Sequence, residues 1–301
     1  MEYVKGNLHS IHFENMSDLL DHIQDESRIK DCNRSIFRSF INNYTYDHSW
    51  YGPTSSSSKQ VIEKSVFGDS ELYNKYMLPK INQLNAKINT VDNINTVPVI
   101  KRRKIRSDFG SEIDIHYVNQ GKLDKAWTNT IREEVDQEHH LITVFVDIGG
   151  TGDVDACQNI WTAVACLGFV TELERAGKQI QIMVGNTGVS VLANGNPMTT
   201  SCVVKKYNEH LNVEKLAVMT NIGFYRSALF VSKTLSENRV SGGMGRSVNF
   251  DSIARFPIPL QEEIVMGHTK IVLINKAYNL SGAIAAIKKA NIDLLKNKEN
   301  N

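Results

Sequence analysis

Leu141-Ile142-Thr143-Val144-Phe145-Val146 forms a near-continuous apolar run that stops at a carboxylate, Asp147, followed after Ile148 by Gly149-Gly150. A strand with so little alternation must be covered on both faces, which is the environment of a parallel sheet with helices packed against it. The chain beyond the two glycines keeps to that plan. Val154 to Ala176 is a long Ala- and Leu-containing stretch with helical character, closed by Gly177 in the position of a C-cap. Gln179 to Val184 alternates Ile180, Ile182 and Val184 as a strand, and Cys202 to Tyr207 reads as another, joined through the Asn194-Gly195-Asn196-Pro197 turn. Glu214 to Thr234 reads as a second long helix. A loop holding Gly242-Gly243-Met244-Gly245-Arg246 leads to a strand over 269–274, and Ser281 caps a last amphipathic helix carrying Ile284, Ile287 and Ile292. This order predicts an α/β fold, a Rossmann-like doubly wound sheet over residues 141–301 with helices on both faces. Its functional groups are expected outside the carboxyl ends of the strands, where Asp147 stands.

Residues 1–140 are rich in Asn, Ser and Asp and weakly periodic, and they predict an irregular, partly helical N-terminal extension around that sheet. A helix is expected from Ser17 as N-cap, with Leu19, Leu20 and Ile23 on one face, and a polar helix from Ser70 to about Ile88. Trp50-Tyr51-Gly52-Pro53 and the serines Ser55 to Ser58 mark a turn. With 34 Lys+Arg against 33 Asp+Glu and a net charge of +1, the 301-residue chain is no wholly basic nucleic-acid coat. Its 41% hydrophobic content excludes a disordered chain. The N-terminus lacks the pattern of a signal peptide, and the longest apolar stretch, Ile160 to Val170, is short of the ~18 residues of a membrane span. Cys32, Cys157, Cys166 and Cys202 show no Cys-x-x-Cys spacing, so a zinc site is not expected, and Cys157 and Cys166 read as buried thiols. The expectation is a cytoplasmic protein without a membrane partner.

Three readings fit the segment Asp147 to Asp155. Asp-Ile-Gly-Gly-Thr resembles the phosphate loop of actin-like sugar kinases, although there the motif lies in a β-hairpin, whereas a long helix comes next here. The buried strand, carboxylate, short loop and helix also resemble the metal-ion-dependent adhesion site of von Willebrand A domains. That resemblance implies Mg²⁺ held by one carboxylate and two hydroxyls, which assigns Asp147, Thr151 and Asp155 as candidate metal ligands, with Asp153 as a further carboxylate. Gly149 removes one of the hydroxyls, so any metal site is expected to be degenerate and no cofactor is anticipated. The third reading is structural: a Gly-rich strand-to-helix turn with Asp153 or Asp155 as helix N-cap needs no ligand.

A longer resemblance joins these segments. Ile11-His12-Phe13-Glu14-Asn15-Met16-Ser17-Asp18-Leu19-Leu20, the Ser49-Trp50-Tyr51-Gly52 turn, Gly121 to Trp127 and the Asp147 region occur in the same order in a group of bacteriophage proteins. Those proteins resemble von Willebrand A domains with a degenerate metal site. The resemblance implies a phage protein acting in the bacterial host cytoplasm and supplies no catalytic residue.

Lys101, Arg102, Arg103, Lys104 and Arg106 are the densest charge run in the chain. Such a cluster attracts a phosphate backbone through counterion release, although charge runs are also commonly solvated loops. Tyr44, Tyr46, Trp50 and Tyr51 are candidates for stacking on unpaired bases or, alternatively, for closing a small core. Arg239 and Arg246 flank the Gly-rich loop as candidates for an anion or partner. His139-His140 lack a third ligand at metal-binding spacing, and no nucleophile–base signature stands in a suitable context. These features predict a non-enzymatic accessory protein acting at single-stranded or melted DNA and helping a phage or host polymerase. One alternative is a protein-only adaptor working through the Asp147 rim. Another is a phosphate-handling enzyme using Asp147, Thr151 and Arg246.

Overall fold

The computed structural model describes residues 2–5, 8–25, 48–88, 103–107, 112–131, 141–150, 154–192, 197–236, 240–241 and 270–296. They belong to two compact units, one made of Met1–Ile94 with Leu141–Asn301 and the other of Asn95–His140.

The larger unit is mixed α/β. Its strands are β1 (Glu2–Lys5), β2 (Leu8–Phe13), β3 (Leu141–Asp147), β4 (Gln179–Leu192), β5 (Pro197–Lys205), β6 (Val240–Ser241) and β7 (Lys270–Ile274). They form one sheet in the order β1-β2-β5-β4-β3-β7, with β6 on the far end of β4. Strand β3 is internal and parallel to both neighbours: Val144 lies opposite Ile182 on one side and Val272 on the other. Six of its seven residues are buried, as its apolar run requires. Strand β5 runs antiparallel to β4 and parallel to β2, so the sheet is mixed.

Nothing in the periodicity of residues 2–13 marks β1 and β2. Ile11 and Phe13 alternate as a strand should, but Ser10 and His12 between them are polar, and both are buried. They are satisfied across the sheet: Ser10 accepts a hydrogen bond from the Thr199 hydroxyl at 2.9 Å, and His12 Nδ1 lies 2.9 Å from Ser201 Oγ. Helix α1 (Met16–Gln24) comes next, and its N-cap is Asn15, not Ser17. The Asn15 side chain accepts from the Asp18 N–H at 3.0 Å, two residues before the expected cap.

Helix α4 (Ala156–Arg175) packs on the sheet, helix α3 (Leu78–Ile88), which continues a π-helical stretch over Leu72–Met77, packs on α4, and helix α2 (Ser58–Phe67) packs on the helical segments over 213–229. Helix α4 is apolar nearly all round because it lies between the sheet, α3 and the last helix. It starts at Asp155, whose side chain accepts from the Cys157 N–H at 2.7 Å, and stops at Gly177 with φ +75°. The helix expected over 214–234 is broken. Helix α5 (Val213–Met219) ends, and Asn221 caps a new turn by accepting from the Gly223 N–H at 2.9 Å while donating to the Ala156 carbonyl. A π-helical stretch, Tyr225–Leu229, then leads into α6 (Phe230–Ser236). Gly223 has no room for a side chain, because a Cβ there would strike the Tyr51 carbonyl. Helix α7 (Leu280–Lys296) is capped by Asn279, which accepts from the Gly282 N–H, not by Ser281.

The main core lies on the sheet face carrying Val144, Ile182 and Val272, where helix residues such as Ile160, Leu84 and Ile287 join it. On the opposite face, where the sequence also predicts helices, Phe145, Met183, Val203, Ile271 and Leu273 form a second buried cluster. Among the described residues that cluster contains strand residues only. No described helix is long and apolar enough to cross a membrane.

The smaller unit holds three antiparallel strands, Arg103–Ser107, Trp127–Ile131 and Glu112–Ile113, with the second in the middle, and a short helix, Ile115–Asn119.

The buried His12 gives the fold a measurable acid response. Burial lowers its pKa from 6.5 to about 4, although the half-exposed Glu14 carboxylate lies 3.5 Å away. Between these two values the unfolded chain takes up a proton at His12 and the folded chain does not. Stability therefore falls as pH drops from 6.5 to 4, by about 3 kcal/mol for this one group. Denaturant unfolding of the H12Q variant across that range is expected to show a pH dependence shallower by one proton. An unchanged slope would show that the ring is already protonated in the folded protein.

Candidate functional site

Asp147 ends β3 at the carboxyl edge of the parallel strands, where the sequence places the candidate site. The side chain is fully buried. Oδ1 accepts from the Gly149 N–H at 3.1 Å, which folds the chain back over the carboxylate. Oδ2 lies 3.5 Å from Nζ of Lys276, whose side chain is 6% exposed. Lys276 lies two residues past the end of the neighbouring strand β7, so the two parallel strands deliver a carboxylate and an ammonium to the same end of the sheet. Tyr225 and Tyr278 complete the surroundings: burial first, and the Asp147 charge second, hold both phenols above their ordinary pKa.

The loop is closed over this pair. Ile148, Gly149 and Gly150 are buried, and a Cβ at Gly149 would collide with the side chain of Asn186. Asn186 stands opposite Thr200 across β4 and β5. Both atoms of its amide, with Thr200 Oγ1, Tyr225 Oη and Ser227 Oγ, are buried without a hydrogen bond.

The described residues do not fit Mg²⁺. Asp147 is already neutralised by a lysine and bonded to a backbone amide. Asp155 serves as the helix cap, and Gly149 supplies no hydroxyl. Among the described residues no three His, Cys, Asp or Glu side chains are grouped as a metal site requires. Thr151 and Asp153 lie outside the described residues, as do Arg239, Arg246, His139 and His140. Asp147 is a buried latch: its charge is matched by Lys276, and it has no exposure to solvent.

Lys276 is the residue that motif reasoning misses. Its signal was present in the sequence, a lone lysine just past an apolar strand, but it lies 129 positions from Asp147 and joins no recognisable motif.

Trp50 and Tyr51 are engaged within the protein. Tyr51 is buried, and its phenol oxygen accepts from the Ser58 hydroxyl at 3.0 Å. The Trp50 ring is covered by the guanidinium of Arg226, 4.2 Å from its centroid. Arg226 is itself buried and donates to the Trp50 carbonyl at 2.9 Å and to the Val154 carbonyl at 2.6 Å, tying the 48–52 turn to the start of α4. Burial lowers its pKa to about 10, with Asp155 opposing, so it keeps its charge at neutral pH.

Arg103, Lys104 and Arg106 of the basic run lie on the first strand of the smaller unit; Lys101 and Arg102 precede the described residues. Register places Arg103 opposite Ile131, Lys104 opposite Thr130 and Arg106 opposite Thr128. The same unit exposes Ile113, Ile115, Val118 and Leu123. The smaller unit therefore carries both the described part of the basic run and a set of exposed apolar residues.

The buried pair sets a stability test. Removing one partner leaves an uncompensated charge in the interior, which costs about 3–5 kcal/mol. K276M is expected to lose that amount in denaturant unfolding, and the double variant D147N/K276M to recover most of it. Millimolar Mg²⁺ is expected to leave the melting temperature of the unmodified protein unchanged. Additive losses in the double variant, or a Mg²⁺-dependent rise, would contradict the latch.

No curated protein and no solved structure matches the chain. The model of one protein family, described as a domain of unknown function (DUF7192), matches residues 2–282. That span takes in both units and nearly every described element, so the chain belongs to the DUF7192 family.

Proposed function

We propose that this protein is a non-enzymatic accessory protein that binds single-stranded or melted DNA through its smaller unit and assists a phage or host polymerase in the bacterial cytoplasm. The larger unit is then a von Willebrand A-like scaffold. Support for that likeness comes from an internal first strand parallel to both neighbours, a long helix after it, and an antiparallel β4–β5 pair at its side. In this reading Lys276 supplies, from within the chain, the positive charge that a metal ion supplies in such domains.

The observation that carries the nucleic-acid reading is the placement of Arg103, Lys104 and Arg106 on one strand of a small antiparallel sheet. A strand advances about 3.4 Å per residue, so its backbone spaces these three positions at fixed intervals. Neutralising five phosphates of a single strand implies a log–log salt slope of about −3.5. Filter-binding titrations on single- and double-stranded DNA at several salt concentrations are expected to show this slope. A variant with Lys101, Arg102, Arg103, Lys104 and Arg106 changed to Ala is expected to lose most of the affinity. The reading fails if the unmodified protein does not bind at low salt, or if the variant binds equally well.

The exposed Ile113, Ile115, Val118 and Leu123 favour a second reading, a protein adaptor. Its surface would be this apolar set rather than the Asp147 rim, where residues 147–150 are buried. Replacing Ile115 and Leu123 by Asp would abolish partner capture in that case and leave DNA retention intact.

A further inference from the structure

A cavity of about 570 Å³ opens in the larger unit between the start of α1, the end of β5 and α5. Its size lies within the range of small-molecule sites. The apolar part of the lining is aliphatic and sulfur-bearing: Met16, Leu20, Val66, Val204, Leu216 and Met219, with no Phe, Tyr or Trp among the lining residues. The polar groups of the wall divide into two sets. Several are already bonded inside the protein. Lys205 holds Glu174 at 3.1 Å and the Ile180 carbonyl at 2.8 Å, and the Asn15 and Asn212 side chains cap their helices. Glu209, the one carboxylate of the lining, accepts from the Lys206 N–H at 2.8 Å. The second set is Lys206, Lys215 and His210, whose side chains have no ion pair or hydrogen bond among the described residues. An aliphatic interior with spare cations around it fits one kind of molecule.

We propose that this cavity binds a medium-chain aliphatic anion, with the chain against Leu20, Leu216 and Met219 and the carboxylate or phosphate head at Lys206 and Lys215. A nucleobase is disfavoured, because the lining has no Phe, Tyr or Trp to stack on it and its Asn side chains are already engaged as helix caps. All the residues involved belong to the larger unit, so the proposal stands apart from the DNA reading and can fail separately from it.

Isothermal titration of the full chain with octanoate, decanoate, decyl phosphate and decan-1-ol tests it. Each buried methylene is expected to tighten binding by up to about fourfold, so decanoate should bind roughly tenfold more tightly than octanoate. Decan-1-ol, which lacks the charge, should bind at least tenfold more weakly than decanoate, and the decanoate/decyl phosphate pair reports which head is preferred among the anions that bind. K206A/K215A should weaken decanoate by tenfold or more while the melting temperature holds, since neither lysine makes an ion pair. V66W, which fills the cavity, should abolish binding, with the near-ultraviolet circular dichroism reporting that the fold is kept. No heat with any of the anions overturns the proposal. Equal binding of the alcohol, or an unchanged affinity in K206A/K215A, overturns it too, because either would mark non-specific apolar adsorption.

Discussion

Burying the Asp147 carboxylate at the end of an internal strand obliges the fold to bury a cation beside it. Taking an ion from water into a protein interior costs several kcal/mol, and only a well-placed opposite charge with further hydrogen bonds offsets it. Lys276 and the Gly149 amide meet that need at 3.5 and 3.1 Å. The rest of the carboxyl edge is dictated by the pair. Position 149 must be Gly to let the chain cross Asn186, β7 must end in register with β3, and the turn after β7 must bring Lys276 inward before Ala277 reaches α4. Ala277 is fixed there through Thr162, which accepts from its N–H at 2.9 Å and donates to its carbonyl at 3.2 Å.

The parts of the fold written as continuous apolar pattern were legible in the sequence: β3, β7 and helix α4 with its Gly177 stop, its cap being Asp155 of the two carboxylates offered; the polar 70–88 helix was legible too. Elements governed by long-range polar contacts were not. Strands β1 and β2 bury Ser10 and His12, which read as surface residues until Thr199 and Ser201 supply partners from nearly two hundred residues away. The break in the 214–234 helix depends on Asn221, a good helix residue by neighbourhood but one whose side chain bonds its own backbone and Ala156 instead. At the candidate site Asp147 stood out because a strand and two glycines frame it. Its lysine did not, because ion pairing across a sheet leaves no spacing to find.

Arg226 shows how one buried cation can organise a segment. Its guanidinium donates to the Ser49, Trp50 and Val154 carbonyls and lies over the face of Trp50, and its fixed planar fork suits that geometry better than a lysine would. The 48–52 turn is thereby pinned against α4 from one side while Gly223 admits the Tyr51 carbonyl from the other. Trp50 and Tyr51 thus both make contacts within the protein, while Tyr44 and Tyr46 lie outside the described residues.

The pairing of β2 with β5 also has a consequence for synthesis. Ser10 meets Thr199 across a separation of 189 residues, so the first two strands leave the ribosome long before their neighbour exists. At translation rates of roughly 5–20 residues per second the β1–β2 hairpin waits on the order of 10–40 s with an open edge. A two-stranded ribbon is at best marginally stable alone, and an open edge is a template for pairing with another chain. The nascent protein is therefore most exposed to mispairing at its beginning, and closing the sheet is a late event that waits for the C-terminal half of the chain.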